Sequence, residues 1–305
     1  METDVLVELR SAFGDRLQEN APLSGYTSAR IGGPADALII VRSADELAEV
    51  VEKCWSLDVP FTTLGGGSNV LVSDKGLRSM VIINRARLVR FDAQAEPPTV
   101  YAESGSTLND IAQRAARLGL SGVEWCATVP GSLGGAVYGN AGAFDGDMAE
   151  NLITAELLHR QQGRVTWGAE AFEYEYRSSI LKREGVPVTI LAAKLALERG
   201  NEQAIQAKMA QFTSRRRSTQ PPGASMGSMF KNPPGDFAGR LIEAAGLKGK
   251  RRGNAVISPI HANFFINNGH THAADVKALI DLARDEVAVK FGTTLELEIE
   301  LIGEW

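Results

Sequence analysis

Five glycines fall within positions 131 to 142, in the run Val129-Pro130-Gly131-Ser132-Leu133-Gly134-Gly135-Ala136-Val137-Tyr138-Gly139-Asn140-Ala141-Gly142. Each glycine costs backbone entropy, so neither an ordinary helix nor an ordinary strand favours such a stretch. The composition fits a backbone that comes close to something and presents its own N–H groups to it. A second run, Gly65-Gly66-Gly67-Ser68-Asn69, has the same character. Two such runs, each after a strand-like segment, predict one extended phosphate-bearing ligand gripped at two places. Neither run is a GxxxxGK loop followed by Ser or Thr. Neither reads GxGxxG at the start of a helix. With Gly65 and Gly67 as the first two glycines, Val70 stands where the third is required.

The 305 residues are enough for about two domains. Hydrophobic residues make up 44% and charged residues 23%, the balance of a soluble globular chain. A net charge of −5 leaves no basic footprint for nucleic acid. Arg215-Arg216-Arg217 is the one dense basic run, with a looser one at 248–252, and the triplet reads as a solvated helix end or loop. Cys54 and Cys126 belong to no metal or redox spacing, so a reducing, cytoplasmic setting is expected. The first ten residues lack signal-peptide organisation, and no apolar run approaches the ~18 residues of a membrane span. His270-Thr271-His272 lacks nearby Cys or carboxylate ligands and reads as a polar turn, so no metal site is expected.

Leu6, Leu9, Phe13 and Leu17 recur near helical spacing and predict a short helix and lead-in over 1–24. Strands are expected at 37–41, 60–64, 70–72, 80–83, 99–103, 153–158, 164–167 and 188–198. Ser43 with Glu46 reads as a capping box for a helix whose inner face is Leu47, Val50, Val51 and Cys54. Thr107 and Asp110 open another, with Leu108, Ile111, Ala112 and Ala115 inward and Gly119 at its end. A boundary is expected near Gly200. Beyond it, helices are expected at 202–217, 236–245 and 276–287, and a strand at 263–267. A last strand alternates Leu295, Leu297, Ile299 and Leu301 with Glu296, Glu298 and Glu300, the acids forming a solvated face. The pattern is α+β, without the strict alternation of a doubly wound sheet.

Seven stretches then fall in register with one family: Arg30-Ile31-Gly32-Gly33-Pro34-Ala35-Asp36, residues 64–71, residues 129–142, Tyr176-Arg177-Ser178-Ser179, Gly227-Ser228-Met229-Phe230-Lys231-Asn232-Pro233, Ala245-Gly246-Leu247-Lys248-Gly249 and His261-Ala262-Asn263-Phe264. Together they resemble the UDP-N-acetylenolpyruvoylglucosamine reductases (MurB), FAD enzymes of bacterial peptidoglycan synthesis, over almost the whole chain. The resemblance implies an FAD-binding domain of the vanillyl-alcohol-oxidase (PCMH) type over 25–199, in two subdomains. It implies an α+β substrate-binding domain over 200–305. It also implies a cytoplasmic flavoprotein oxidoreductase acting on a CH–CH group with NADP as acceptor, in a cell-wall pathway that serves cell shape and division. NADPH would reduce a dissociable FAD. The enolpyruvyl ether of UDP-N-acetylenolpyruvoylglucosamine would then take hydride from flavin N5 at C3 and a proton at C2, giving UDP-N-acetylmuramate.

A vinyl ether accepts hydride only where the charge developing at C2 and on its carboxylate is stabilised. Arg177 matches the family's arginine for that task, since a guanidinium binds a carboxylate bidentately and stays charged. On residue type alone it reads as a surface arginine. Ser228 matches the proton donor to C2, with Lys231 close in sequence to stabilise an alkoxide. On residue type alone it reads as a loop serine bonding its own backbone. Glu298 matches the family's C-terminal glutamate, although alternation does not separate it from Glu296 and Glu300. The resemblance places Lys231, Asn232 and Lys248 on the substrate. It places Arg30, Gly32, Gly65, Gly66, Gly67, Ser68, Asn69, Pro130, Gly131, Ser132, Gly134, Gly135, Asn140 and Ala141 on FAD. The short connection between Leu197 and Pro221 resembles the short-loop, type II subgroup, and leaves residues 215–217 or 250–252 as candidates for the UDP moiety. A flavin oxidase of the same fold and a binding module without turnover are the rival readings.

Overall fold

The computed structural model describes residues 1–305. Contacts divide the chain into two units: Met1–Leu38, Gly66–Val81 and Arg217–Trp305 in the first, Ile39–Gly65 and Ile82–Arg216 in the second. The fold is α+β, as expected.

The second unit is built on a five-stranded antiparallel sheet in the order Gly163–Gly168, Leu152–His159, Val188–Ala196, Thr99–Glu103, Val89–Asp92. The strand expected over 188–198 breaks at Leu197. Glu198–Arg199 leaves the sheet to pair with Leu120–Ser121. Helix Ala44–Ser56 opens at the predicted cap, where Ser43 Oγ accepts the Glu46 N–H at 3.1 Å. Glu46 reaches back one residue further than a standard box, accepting from the Arg42 N–H at 2.8 Å. Its predicted inner face, Leu47, Val50, Val51 and Cys54, is fully buried. Thr107 Oγ1 caps helix Leu108–Arg117 by accepting the Asp110 N–H at 3.2 Å. Three alanines on that helix, Ala112, Ala115 and Ala116, are buried and let it lie close to the 3-10 turn Glu124–Thr128. That turn delivers the chain to the long glycine run.

Two further expectations in this unit are corrected. The glycine run is not free of regular structure, because Leu133–Gly139 is a short helix. Leu133, Ala136 and Val137, at i, i+3 and i+4, are buried, and this apolar stripe offsets the entropy that the glycines lose. The basic triplet is not uniformly solvated either. Helix Glu202–Thr219 turns Ile205, Met209, Phe212 and Arg216 inward at i, i+4, i+7 and i+11. Arg216 is half-buried, donates to the Thr128 carbonyl and lies 3.3 Å from Thr128 Oγ1, and desolvation lowers its pKa.

The first unit holds helix Thr3–Phe13, strand Gln18–Pro22 paired with the start of Pro34–Val41, and the C-terminal residues. Strands Arg251–Arg252, Ala255–Ile257 and Phe265–Asn267 form an antiparallel sheet. Helices Ala238–Ala244 and Ala273–Phe291 bury Leu241, Ile242, Val276, Ile280 and Val287 in one core with Met229, Phe230, Ile257 and Phe265. Each fully buried Leu, Ile or Phe there contributes roughly 1.5–3 kcal/mol. Helix Ala238–Ala244 starts two residues later than expected, because Phe237 is extended, and Asn232 Oδ1 accepts the Ala238 N–H at 3.1 Å. The polar turn at 270–272 leads into Ala273–Phe291, whose first N–H groups, of Ala273 and Ala274, donate to the two carboxylate oxygens of Asp74 at 2.8 and 2.9 Å.

The expected last strand is only Glu300–Ile302, paired parallel to Val70–Val72. Its acids are not a solvated face: Glu296 is exposed, but Glu298 and Glu300 are half-buried. The segment is held from both sides. Glu298 N–H donates to Met229 O at 3.0 Å, and Glu300 N–H to Asn69 O at 2.9 Å.

Candidate active site

In the second unit, three loops converge around the start of the long glycine run. Leu133 N–H donates to Ser106 O and Gly134 N–H to Ser104 O, both at 2.8 Å. A Cβ on Gly134 would lie 2.9 Å from Ser104 Cβ, and one on Gly65 would lie 2.0 Å from Ser132 Oγ. Arg85 Nη1 donates to Gly65 O at 2.6 Å and fixes the end of the strand Phe61–Leu64 loop. These glycines are required by the chain's own packing. Gly135 and Gly139 differ. They lie one turn apart on Leu133–Gly139, where a Cβ would meet only Ser132 Oγ at 3.7 Å, or nothing within 4 Å. Nothing in the protein demands glycine at either position, so this face fits the close approach of an extended cofactor such as FAD.

The C-terminal end of that helix is tied to a hairpin. A helix end leaves carbonyls without intrahelical partners. Here Tyr174 Oη donates to Val137 O at 2.8 Å and Ser179 Oγ to Tyr138 O at 2.6 Å. Burial, then the Asp147 charge, pushes the Tyr174 phenol well above its usual pKa, so it stays a neutral donor. Asn140 Nδ2 donates to Glu175 O at 3.1 Å, and Asn140 Oδ1 accepts the Ala149 N–H at 3.0 Å. Glu175 and Ser178 exchange two backbone hydrogen bonds at 3.1 Å, leaving Tyr176 and Arg177 as a two-residue tip. Arg177 has φ +56°, a conformation L-residues rarely hold. Its Nη2 donates to Gly142 O at 2.6 Å, and its guanidinium lies 5.0 Å from the Tyr176 ring centroid. Cys126, near the same run, is fully buried, and burial followed by the Glu124 charge raises its thiol pKa, keeping it neutral.

In the first unit, the second set of predicted residues is drawn together by backbone pairing. Met229 N–H donates to Asn263 O at 2.7 Å on one side, and Lys231 N–H to Glu296 O at 2.8 Å on the other. Positions 228 and 298 therefore lie on adjacent segments, and Ser228 itself bridges to Phe264. The Asn263 side chain binds both backbone groups of Phe230, accepting its N–H at 2.9 Å and donating to its carbonyl at 2.8 Å. Asn69 Nδ2 donates to Glu298 O at 3.0 Å, which joins the end of the first glycine run to the predicted glutamate. Gly67, with φ +58°, packs against Tyr26 O and Thr27, and Ser28 N–H donates to Gly67 O at 3.0 Å. Arg30 has φ +56°, and a Cβ on Gly32 would meet Val72 Cβ at 3.0 Å.

The predicted residues thus fall into two groups. Gly65, Pro130, Gly131, Ser132, Gly134, Gly135, Asn140, Ala141 and Arg177 belong to the second unit. Arg30, Gly32, Gly66, Gly67, Ser68, Asn69, Ser228, Lys231, Asn232, Lys248 and Glu298 belong to the first. Several are engaged within the protein. Lys231 Nζ pairs with Glu296 Oε1 at 2.5 Å, and Lys248 Nζ with Glu243 Oε1 at 2.7 Å. Asn263 and Arg85 were not anticipated as parts of these groups. Asn263 carried a usable signal, since it is a polar residue between the apolar Ala262 and Phe264 in a strand-like stretch.

Residues 219–302 match the C-terminal domain of UDP-N-acetylenolpyruvoylglucosamine reductase, and residues 35–168 match an FAD binding domain. The UDP-N-acetylenolpyruvoylglucosamine reductase of Chloroflexus aggregans is 42% identical over 289 residues, covering 94% of this chain and 97% of the relative. That of Bacillus subtilis is 38% identical over 301 residues, covering 98% of each. This chain belongs to the UDP-N-acetylenolpyruvoylglucosamine reductase family. The crystal structure of the reductase from Thermus caldophilus superposes with a TM-score of 0.80 at 35% identity, over 94% of this chain and 99% of that one. The family is one of flavin oxidoreductases, and its fold, an FAD-binding domain of the PCMH type with a C-terminal α+β domain, is the fold of this chain. No helix is long and apolar enough to cross a membrane.

Proposed function

We propose that this protein is an NADPH-dependent, cytoplasmic reductase that converts UDP-N-acetylenolpyruvoylglucosamine to UDP-N-acetylmuramate for peptidoglycan synthesis. The observation that carries the reading is the similarity, 42% and 38% identical over 94% and 98% of this chain, to reductases of that name. Residues 25–199 are assigned as the FAD domain, in support of which residues 35–168 match such a domain. Residues 200–305 are assigned as the substrate domain. The open face at Gly135 and Gly139, with the runs 65–69 and 130–134 and with Arg30 and Gly32, would hold FAD non-covalently. When bound, FAD supplies hydride to C3 of the enolpyruvyl group.

The chain's own residues supply the rest. Arg177 binds the substrate carboxylate and stabilises the charge that develops there. Ser228 gives its hydroxyl proton to C2. A serine hydroxyl is a weak acid, so its alkoxide requires a neighbouring positive charge or proton, and Lys231, three residues on, is assigned that role. Glu298, carried on the segment beside Met229, acts at the same carbon. Asn232 and Lys248 contact the remainder of the sugar nucleotide.

The test is NADPH oxidation by the purified yellow protein with and without the enolpyruvyl sugar. Oxidation that requires the sugar, with UDP-N-acetylmuramate as product, is expected. Sugar-independent oxidation would defeat the reductase reading, and a flavin oxidase of the same fold would instead consume oxygen with another alcohol and leave NADPH untouched.

A further inference from the structure

Strand Gly142–Ala143 and strand Gly146–Asp147 form a two-stranded ribbon joined by Phe144 and Asp145, with φ +52° and +65°. A two-residue turn with both φ positive selects Asn-Gly, and Phe holds that conformation only when something compensates. The compensation is visible. The Phe144 ring lies face to face with Phe212, centroids 4.4 Å apart and planes 3° apart, and the Arg215 guanidinium lies 5.8 Å from the Phe144 centroid. Phe212 sits on the inward stripe of helix Glu202–Thr219 between Met209 and Arg216. The same helix buries Ile205 and Met209, pairs Lys208 with the buried Glu124 at 3.6 Å and holds Arg216 on Thr128 O. The ribbon in turn carries the groups that hold the Arg177 hairpin. Gly142 O accepts from Arg177 at 2.6 Å, and Asp147 Oδ2 accepts at 3.3 Å from the same Asn140 amide that donates to Glu175 O.

We propose that the Phe144–Phe212 stack is a positioning clamp for Arg177: by tying the strained Phe144–Asp145 turn to helix Glu202–Thr219, it fixes the Gly142 carbonyl that aims the guanidinium. Phe144 and Phe212 are positioning residues, with no contact to substrate required of them. The inference rests on the proposed role of Arg177 in sugar reduction. It gives a reason for a residue ill-suited to the turn to stand there, since strain is tolerated where the geometry serves a function. A misplacement of about 1 Å at such a group lowers a rate about 100-fold.

The experiment uses the holoenzyme and two variants that each remove the stack. Phe144→Asn keeps a residue suited to positive φ, and Phe212→Leu keeps apolar volume on the helix. Hydrogen exchange reads the coupling without turnover. In both variants the amides of residues 142–147 and 175–178 are expected to exchange about tenfold faster, with the five-stranded sheet unchanged. Stopped-flow reads the consequence. Flavin reduction by NADPH and FAD content are expected to stay within about threefold, while reoxidation by the enolpyruvyl sugar slows about 10- to 100-fold. In an Arg177→Lys background, the same variants are expected to add little, because the group they position is gone. Phe212→Tyr, which retains the stack, is expected to behave as wild type. Unchanged exchange at 175–178, equal loss in both half-reactions, or full additivity with Arg177→Lys would overturn the clamp. If the wild-type holoenzyme does not reduce the sugar at all, the proposed function fails, and hydrogen exchange alone decides whether the stack restrains the hairpin.

Discussion

The long glycine run and the Ser228 segment do their work by opposite means. In the run at 131–142, five of twelve positions have no side chain, and backbone geometry is the product. Gly134 is there because Ser104 leaves no room for a Cβ, whereas Gly135 and Gly139 face space that the protein does not fill. Around Ser228 the chain forms only isolated bridges, and its placement depends on neighbours: Asn263 binds both polar groups of Phe230, and the 296–298 segment pairs on the far side. A glycine-rich site announces itself by composition. A site made by register does not, because each of its residues is commonplace.

The largest effect that sharpens this contrast is expected at Ser228. Ser228→Ala removes the assigned proton donor while leaving the pairing of Met229 and Lys231 intact, because that pairing is made by backbone groups. Sugar reduction is expected to fall about 1,000-fold or more, equivalent to about 4 kcal/mol of barrier, with flavin reduction by NADPH preserved. Single-turnover kinetics on each half-reaction check it. Equal losses in both would assign Ser228 a structural part instead.

A smaller effect divides the glycines themselves. Gly65→Ala places a Cβ 2.8 Å from Ser132 Cβ and 2.0 Å from its Oγ, and overpacking of that kind destabilises by about 1–3 kcal/mol. Gly135→Ala adds a methyl to open space in a helix and is expected to stabilise the apoprotein by roughly 0.5–1 kcal/mol through helix propensity. Its FAD affinity is nonetheless expected to drop, about tenfold or more. Thermal melts of apoprotein and fluorescence titration with FAD separate the two quantities. Undiminished FAD affinity in Gly135→Ala would remove the open face from the cofactor site.

The same contrast explains how much of the molecule could be read in its sequence. The helices at 44–56 and 108–117 were legible because caps and apolar stripes agree, with Ser43 and Thr107 at the starts and alternation every three or four residues behind them. The helix at 133–139 was masked because propensity speaks against it, and burial of Leu133, Ala136 and Val137 overrides propensity. Arg216 was hidden inside a basic triplet, yet its spacing from Ile205, Met209 and Phe212 was readable. Glu298 was selected only by resemblance, since the hydrogen bonds that distinguish it run to Met229 and Asn69, residues 69 and 229 positions away in sequence. Such long-range pairing leaves no periodic trace in a sequence.

The smallest effect concerns pH and lies beside the Ser228 segment. His261 precedes the Ala262-Asn263-Phe264 stretch that pins Phe230. Its ring packs edge-on against Phe264 at 5.0 Å, and its Nδ1 accepts the Asn263 N–H at 3.2 Å. Burial lowers its pKa in the folded protein, opposed by a backbone hydrogen bond and by Glu243 and assisted by the Lys248 charge. The unfolded chain, with an ordinary histidine pKa of about 6.5, therefore binds more protons than the folded one just below that value. Stability contributed through His261 is fully present above about pH 6.5 and declines as pH falls towards the folded-state pKa. His261→Gln is expected to flatten this part of the stability profile, measured as urea midpoints between about pH 5 and 8, while leaving the midpoint difference near pH 8 small. A profile whose acid limb is unchanged by the substitution would show that the imidazole is protonated as readily when folded as when unfolded. The lock on Phe230 would then depend on Asn263 without any contribution from the neutral ring behind it.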